Sequence, residues 1–413
     1  MLKLATAVTA ALALAVPSSA AGAGFKEPVK VLWQHTGTEG YYFGWAVSPL
    51  EDVNRDGVTD AIIAEPGNNV PGGDAGTTWI HSGRTGAPLA RFGGRPGDQS
   101  AFSVADVGDL NRDGIHDVLS GAPRQFGDTE GHAYLISGRS GSLLHTFAGA
   151  VTGDSYGTAV SSAGDVNRDG RPDLLVGAAG HPGGGLAYVY SGRTFKLLYK
   201  IPPPDATHAF GYGTGVTDDV NRDRVPDLIV GGGGTAHVFS GRDGRRLYAL
   251  PPSAAARQFG TFFVAGVGDV NHDHVPDVYG GDYAAGDNGP LSGFAGVYSG
   301  RDGTLLRSWT GAAGDGLGPG RGAGDVNGDH RPDLAIGSYT NSDGATGAGK
   351  IELYSGASGA KLRTITSTTA NEQLGFDTVG VGDVNRDHRP DLLASAAEGD
   401  TVYMIAGERR RRW

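Results

Sequence analysis

The chain has 413 residues, with 72 glycines, no cysteine and a formal net charge of −11. The glycines do not fall every third residue, which excludes collagen, and the lack of cysteine excludes disulfides, thiolate metal sites and a lipid anchor on an N-terminal cysteine. At 38% hydrophobic residues the chain can bury a core, and without a long basic stretch before Arg409–Arg412 it offers no general nucleic-acid surface.

From the N-terminus, Lys3 precedes an apolar run from Leu4 to Val16, followed by the small residues Ser18-Ser19-Ala20 and Ala21-Gly22-Ala23. This order predicts an export signal over residues 1–23, cleaved to leave a secreted or periplasmic chain. No other segment reaches the ~20 apolar residues of a membrane helix, so the mature chain is expected to have no span. The next apolar run, 29–36, reads as a strand without a neighbouring partner in sequence.

Then a repeat begins. DVNRDGVTD starts at Asp52, and close copies start at Asp109, Asp165, Asp219, Asp269, Asp325 and Asp383, 50 to 58 residues apart. A period near fifty marks an array of one supersecondary unit. Most copies are preceded by an aromatic or leucine and a glycine: Phe43-Gly44, Tyr156-Gly157, Phe210-Gly211, Phe259-Gly260, Leu317-Gly318 and Leu374-Gly375. The second repeat departs, with Phe102-Ser103. A short apolar run follows each acidic loop, then a variable stretch, a strand ending in Ser-Gly (Ala406-Gly407 in the last copy), and a final short strand. Four short strands with glycine-rich turns are the plan of a propeller blade. The expected fold is therefore all-β, a seven-bladed β-propeller over 24–408. Its repeats run at about 41–92, 93–147, 148–201, 202–250, 251–309, 310–365 and 366–407. The last repeat holds three strands, so strand 29–36 is expected to complete its blade and remove an open edge. Residues 409–413 form a basic tail, expected to be solvated.

Each acidic loop carries oxygen donors at positions 1, 3, 5 and 9. In chain order these are Asp52, Asn54, Asp56 and Asp60; Asp109, Asn111, Asp113 and Asp117; Asp165, Asn167, Asp169 and Asp173; Asp219, Asn221, Asp223 and Asp227; Asp269, Asn271, Asp273 and Asp277; Asp325, Asn327, Asp329 and Asp333; and Asp383, Asn385, Asp387 and Asp391. Three carboxylates in one short loop repel one another, and a cation removes that cost. Hard oxygen donors without imidazole or thiolate point to Ca²⁺, up to seven ions, with position 7 expected to give its backbone carbonyl. Position 6 is glycine in the first three loops, then Arg224, His274, His330 and His388. Arginine suits a left-handed turn least, so the Asp219 loop is the weakest expected site.

The aromatic-glycine pairs, the acidic loops, and endings such as Gly121-Ala122-Pro123 and Gly177-Ala178-Ala179 resemble FG-GAP repeats. These repeats form the propeller head of integrin α chains and occur in bacterial secreted proteins. The resemblance covers nearly all of 29–407. It implies calcium ligands at the loop positions named above, on a lower face, with protein or glycan ligands bound on the opposite face. No leg domain, inserted domain, membrane span or Arg-Gly-Asp is found, so integrin function itself does not carry over.

Two functions remain. One is a binding or adhesion module whose variable upper loops recognise a ligand. Tyr41, Tyr42, Trp45, Phe126, Tyr283 and Tyr339 then either offer aromatic contacts or pack between blades. The other is a secreted lyase or hydrolase on a propeller scaffold. For it, Glu65, Glu130, Asp282 and Asp287 show no spacing of an acid–base pair. Gly153, Ser155 and Gly157 match G-x-S-x-G but lack the strand-to-helix turn of a nucleophile elbow. No catalytic residue is assigned.

Overall fold

A computed structural model describes residues 24–38, 40–70, 72–124, 130–204 and 208–407. The expected export signal, the basic tail and Phe126 lie outside these residues.

The described residues form seven four-stranded antiparallel sheets. Their first strands are Val47–Leu50, Ser103–Asp106, Tyr156–Gly164, Gly213–Thr217, Val264–Gly268, Leu317–Gly324 and Leu374–Gly382. Each first strand adjoins that of the next sheet, and the last adjoins the first, so the sheets close into a ring. The chain is a seven-bladed β-propeller. Val31–Thr36 pairs antiparallel with Thr401–Ile405, from Val31 opposite Ile405 to Thr36 opposite Thr401. The seventh blade is thus completed from the N-terminal side, as the unpartnered strand predicted.

Second strands are the apolar runs of each repeat and are buried along their length, as in Asp60–Glu65, Asp173–Ala178 and Asp227–Gly232. Fourth strands form the rim and leave Leu89, Leu143, Leu197 and Leu305 exposed. The core lies between blades. Leu119 and Leu135 of the second blade pack with Leu174 and Val176 of the third. Val47 and Ile63 of the first pack with Leu393, Val402 and Met404 of the seventh. Each blade therefore buries its apolar faces only against its neighbours, the condition under which repeats fold as an array.

The two glycine signals of the repeat meet across these seams. A Cβ on Gly177 would lie 1.9 Å from the Gly211 carbonyl oxygen of the next blade, and one on Gly337 would lie 1.9 Å from that of Gly375. Backbones this close leave no room for a side chain. At the first seam both glycines are replaced. Ala64 stands in the first blade and Ala101 in the second, in one buried cluster. Ala101 adopts the positive φ, 66°, that Gly44 and Gly157 adopt elsewhere. The second repeat's counterpart of phenylalanine-glycine is therefore Ser100-Ala101, not Phe102-Ser103. The reason is the glycine-like backbone of Ala101, which a motif search by residue type passes over.

The seam between first and seventh blades carries a pH-sensitive pair. His81 is fully buried, with its ring centroid 4.8 Å from that of His35 on the closing strand. Its Nδ1–H donates to the Gly86 carbonyl at 2.9 Å. Burial, then the nearby His35, hold the His81 pKa down to about 4. An unfolded histidine takes a proton below about pH 6.5, whereas folded His81 refuses it until about 4. Stability present at neutral pH is therefore lost as pH falls through that window. At pH 5 the loss is about 2 kcal/mol. Urea unfolding at pH 7 and pH 5 should show a smaller drop in His81→Phe than in the parent, and equal drops would contradict the assignment.

Candidate functional site

The acidic loops join first and second strands at one end of every blade. In the first loop the Asp52 carboxylate accepts from the amides of Asp56 (2.9 Å) and Gly57 (2.6 Å). Asn54 Oδ1 accepts from the Asp56 amide at 2.9 Å, and Asp56 Oδ1 from the Val58 amide at 3.2 Å. Asp60 Oδ2 accepts from the amides of Val53 and Asn54, and Asp60 Oδ1 from Asn54 Nδ2 at 3.2 Å. The ninth-position aspartate binds the loop back onto itself in this way in all seven copies. Its second bond leaves the loop. Asp60 Oδ1 accepts from the Gly83 amide, Asp117 from Gly138, Asp173 from Gly192, Asp227 from Gly241, Asp277 from Gly300, Asp333 from Gly356 and Asp391 from Gly407, at 2.9–3.4 Å. The Ser-Gly signal is explained by this contact. A Cβ on Gly83 would lie 1.8 Å from the Thr59 carbonyl oxygen.

All seven ninth-position aspartates are fully buried. Burial raises Asp60, Asp117, Asp173, Asp227, Asp277 and Asp333 to about 6, against the pull of the amides that bond them. Burial raises Asp391 as well. The charge of a second loop aspartate, such as Asp56 beside Asp60, pushes the same way.

Positions 4 and 6 both turn left-handed. Position 6 has φ of 82° at Gly57, 67° at Arg224, 65° at His274, 63° at His330 and 67° at His388. The Asp219 loop, expected to be the least regular, keeps the full bond pattern, with the Arg224 amide donating to Asp219 Oδ2 at 2.6 Å. The histidine rings point into solvent; the His330 side chain is 97% exposed. A left-handed non-glycine residue costs roughly 1–2 kcal/mol. Arg224→Gly is therefore expected to stabilise the protein by on the order of 1 kcal/mol. A urea midpoint unchanged or lowered would contradict this.

Among the described residues, no group of three or more His, Asp or Glu side chains is gathered closely enough to hold a metal ion. Each loop does hold its four oxygen-bearing side chains in one nine-residue turn, with the carboxylates fixed by loop amides. The donor set is oxygen only, which fits a hard cation. In the third loop Asp169 Oδ2 accepts from Ser191 Oγ at 3.2 Å, while Asp169 Oδ1 is buried without a hydrogen-bond partner. A buried carboxylate oxygen left unpaired is costly, and a cation is one partner that would remove the cost.

First strands run from the aromatic-glycine end of the blade to the acidic loop, so the two lie at opposite ends of the ring. At the aromatic-glycine end a cavity of about 430 Å³ opens along the axis, lined by first strands of all seven blades. A residue one or two positions after the repeat's glycine (or Ala101) turn lines it in every blade: Trp45, Phe102, Tyr212, Phe262 and Phe376, with Thr158 and Pro319 in the other two. Trp45 lies 4.9 Å from Phe376 and 5.5 Å from Phe102 between ring centroids. Tyr283 and Tyr339, 5.9 Å apart, also line it. Of the aromatics singled out in the sequence, Trp45, Tyr283 and Tyr339 thus share this cavity, while Tyr41, Tyr42 and Trp45 also line a second depression at its margin. Sequence reading missed Phe102, Tyr212, Phe262 and Phe376. For Tyr212, Phe262 and Phe376 the available signal was their place one or two residues after the aromatic-glycine or leucine-glycine pair, whereas Phe102 follows Ser100-Ala101, which carries no such signal.

Inside the cavity the Arg321 guanidinium bonds Asp377 Oδ2 at 2.6 Å and the Val47 carbonyl at 3.1 Å. The Val47 amide donates to the same Asp377 oxygen at 2.9 Å. Asp377 is 2% exposed, and its Oδ1 has no hydrogen-bond partner. Burial pushes the Asp377 carboxyl above the usual range, opposed chiefly by the Arg321 charge.

The carboxylates considered for catalysis do not pair. Glu65 is buried and accepts from Trp79 Nε1 and Asn68 Nδ2, both at 2.7 Å. Asp282 is buried and accepts from the amides of Arg257, Gln258 and Ala284. Asp287 accepts from the Ala255 amide at 3.3 Å, and Glu130 lies on the surface. Ser155 precedes the strand Tyr156–Gly164, not a helix.

The FG-GAP-like repeat family matches residues 109–176 and 325–394, and the FG-GAP repeat family matches 43–81. Integrin alpha-6 of Gallus gallus is 35% identical over 141 residues, covering 32% of this chain and 13% of that protein. Integrin alpha-6 of Homo sapiens is 34% identical over 143 residues, covering 32% and 12%. Integrin alpha-E of Mus musculus is 32% identical over 166 residues, covering 34% and 14%. The matched region is therefore a small part of each relative's length. No helix among the described residues is long and apolar enough to cross a membrane.

Proposed function

For this propeller of FG-GAP repeats, similar to parts of integrin α chains, we propose a secreted, calcium-stabilised ligand-binding module, exported by residues 1–23. Calcium holds the lower end through the four oxygen-bearing residues of each acidic loop. The upper end binds an extracellular ligand, protein or glycan. The observation that carries this reading is the contrast between the two ends. The ninth-position aspartate makes the same bonds in all seven acidic loops, while the upper loops differ in length and composition and surround an aromatic mouth. Recognition commonly sits on variable loops held by a rigid scaffold.

When bound, calcium supplies a positive charge that joins the loop carboxylates. The chain's own residues do the rest. The ninth-position aspartate ties each loop to the Ser-Gly turn of its blade. Arg386 donates to the Asp56 carbonyl at 2.6 Å, linking the seventh loop to the first. Arg168 likewise donates to the Asp223 carbonyl of the next loop.

Native mass spectrometry of secreted protein should show bound calcium, up to seven ions, with one fewer in Asp113→Ala. Absence of calcium would refute the loop assignment. N-terminal sequencing of secreted protein tests cleavage within 18–24. An array of extracellular proteins and glycans, scored for binding and for product release, tests the module. Turnover of a polysaccharide would favour the enzyme instead.

A further inference from the structure

We propose that the axial channel is a binding site for an uncharged saccharide of about one or two rings, held by Asp377, Ser161 and Thr214 beneath a collar of aromatic side chains. This rests on the ligand-binding reading above and names a ligand class and a site for it. The sequence brings the parts from separate repeats, and only ring closure assembles them.

The case begins with polar groups left without partners. Asp377 is 2% exposed, and its Oδ1 accepts no hydrogen bond. Ser161 Oγ and Thr214 Oγ1, from the third and fourth blades, are likewise buried without partners, and all three residues line the channel. An unsatisfied buried polar group is destabilising. A ligand that supplies hydroxyls recovers this cost, whereas a purely apolar one leaves it in place.

Charge then narrows the class. Arg321 and Asp377 form an ion pair at 2.6 Å, so the two formal charges in the channel cancel. A cation placed on Asp377 Oδ1 would sit beside the guanidinium. An anion placed on Arg321 would sit beside the carboxylate. A neutral ligand avoids both repulsions while still donating to Oδ1.

Shape supplies the third constraint. Phe376, Trp45, Phe102 and Phe262 form a linked set of rings, with neighbouring centroids 4.9 to 6.4 Å apart. Aromatic faces are electron-rich and suit the C–H faces of a pyranose. The cavity, about 430 Å³, lies in the range of roughly 300–1,000 Å³ typical of small-molecule sites. An apolar collar over a few convergent polar groups is the usual construction of such a site.

The test is calorimetric titration of the secreted, calcium-loaded chain with glucose, galactose, mannose, cellobiose, maltose and lactose, followed in parallel by tryptophan fluorescence. Glucuronic acid and glucosamine serve as charged probes. The expected result is saturable binding of at least one neutral sugar with a fluorescence change that Trp45→Phe abolishes. Thr214→Val, which removes a hydroxyl without removing bulk, should weaken binding about tenfold. Phe376→Ala should weaken it further. No saturable heat with any neutral sugar would overturn the proposal. So would tighter binding of a charged probe, or affinity unchanged in both Thr214→Val and Phe376→Ala. Melting curves with and without EGTA on the same samples separate the two readings. A calcium-stabilised protein without a sugar response sinks the channel site alone, and a sugar response without calcium stabilisation sinks the calcium reading alone.

Discussion

Removing calcium with EGTA is expected to lower the melting temperature by roughly 10–20 °C. A ligand present at a hundred times its dissociation constant stabilises the native state by about 2.7 kcal/mol per site. Seven equivalent loops multiply that effect, and a chain of this length loses about a degree per kcal/mol. The loops are also mechanically tied. Each ninth-position aspartate bonds the Ser-Gly turn of its own blade (Ala406-Gly407 in the last), and Arg386 links the last loop to the first. A loosened loop therefore frees a strand connection as well as itself. Differential scanning calorimetry in calcium, in magnesium and in EGTA is the measurement. Calcium should stabilise more than magnesium, which gives up its waters reluctantly. Asp329→Ala, in one loop only, should remove a fraction of the shift. A transition indifferent to EGTA would leave the acidic loops as turns.

The second large effect is expected at the channel ion pair. Arg321→Ala should destabilise the protein by about 3–5 kcal/mol, because it leaves the buried Asp377 carboxylate uncompensated. Its pH dependence distinguishes this cause from lost packing. Burial already raises the Asp377 pKa in the folded state, and the Arg321 charge is the chief opposing influence. Without Arg321 the pKa rises further above the unfolded value. A carboxyl whose folded pKa is raised is penalised above that pKa and relieved as pH falls through it. The deficit of Arg321→Ala should therefore be largest at neutral pH and shrink toward the unfolded carboxyl range. The double variant Arg321→Met with Asp377→Leu should recover most of the loss, since a buried pair replaced by apolar residues is often neutral. Urea unfolding followed from neutral pH down toward the unfolded carboxyl range reads both effects. A deficit independent of pH would assign the loss to packing.

Much of the lower end was legible in the sequence. Asp, Asn, Asp and Asp recur at fixed positions within nine residues, and short-range turns alone set their bonds to the loop amides. The strand at 31–36 was legible for a different reason, since one repeat lacked a fourth strand and only one spare run existed to fill it. The Ser100-Ala101 turn was not legible. Alanine there takes a backbone conformation usually reserved for glycine, beside a partner, Ala64, from a different repeat.

By itself, then, the sequence determined the blade count, the strand plan, the closing strand and the places of the acidic loops, because each depends on contacts within one repeat or on repetition. Only the tertiary structure decided what the channel contains. Its lining comes one residue or a few at a time from all seven repeats, and Arg321 meets the Val47 carbonyl across 274 positions of chain. Periodicity carries no information about such meetings. They exist because the ring closes, bringing seven first strands around one axis and setting side chains together that no local pattern had joined.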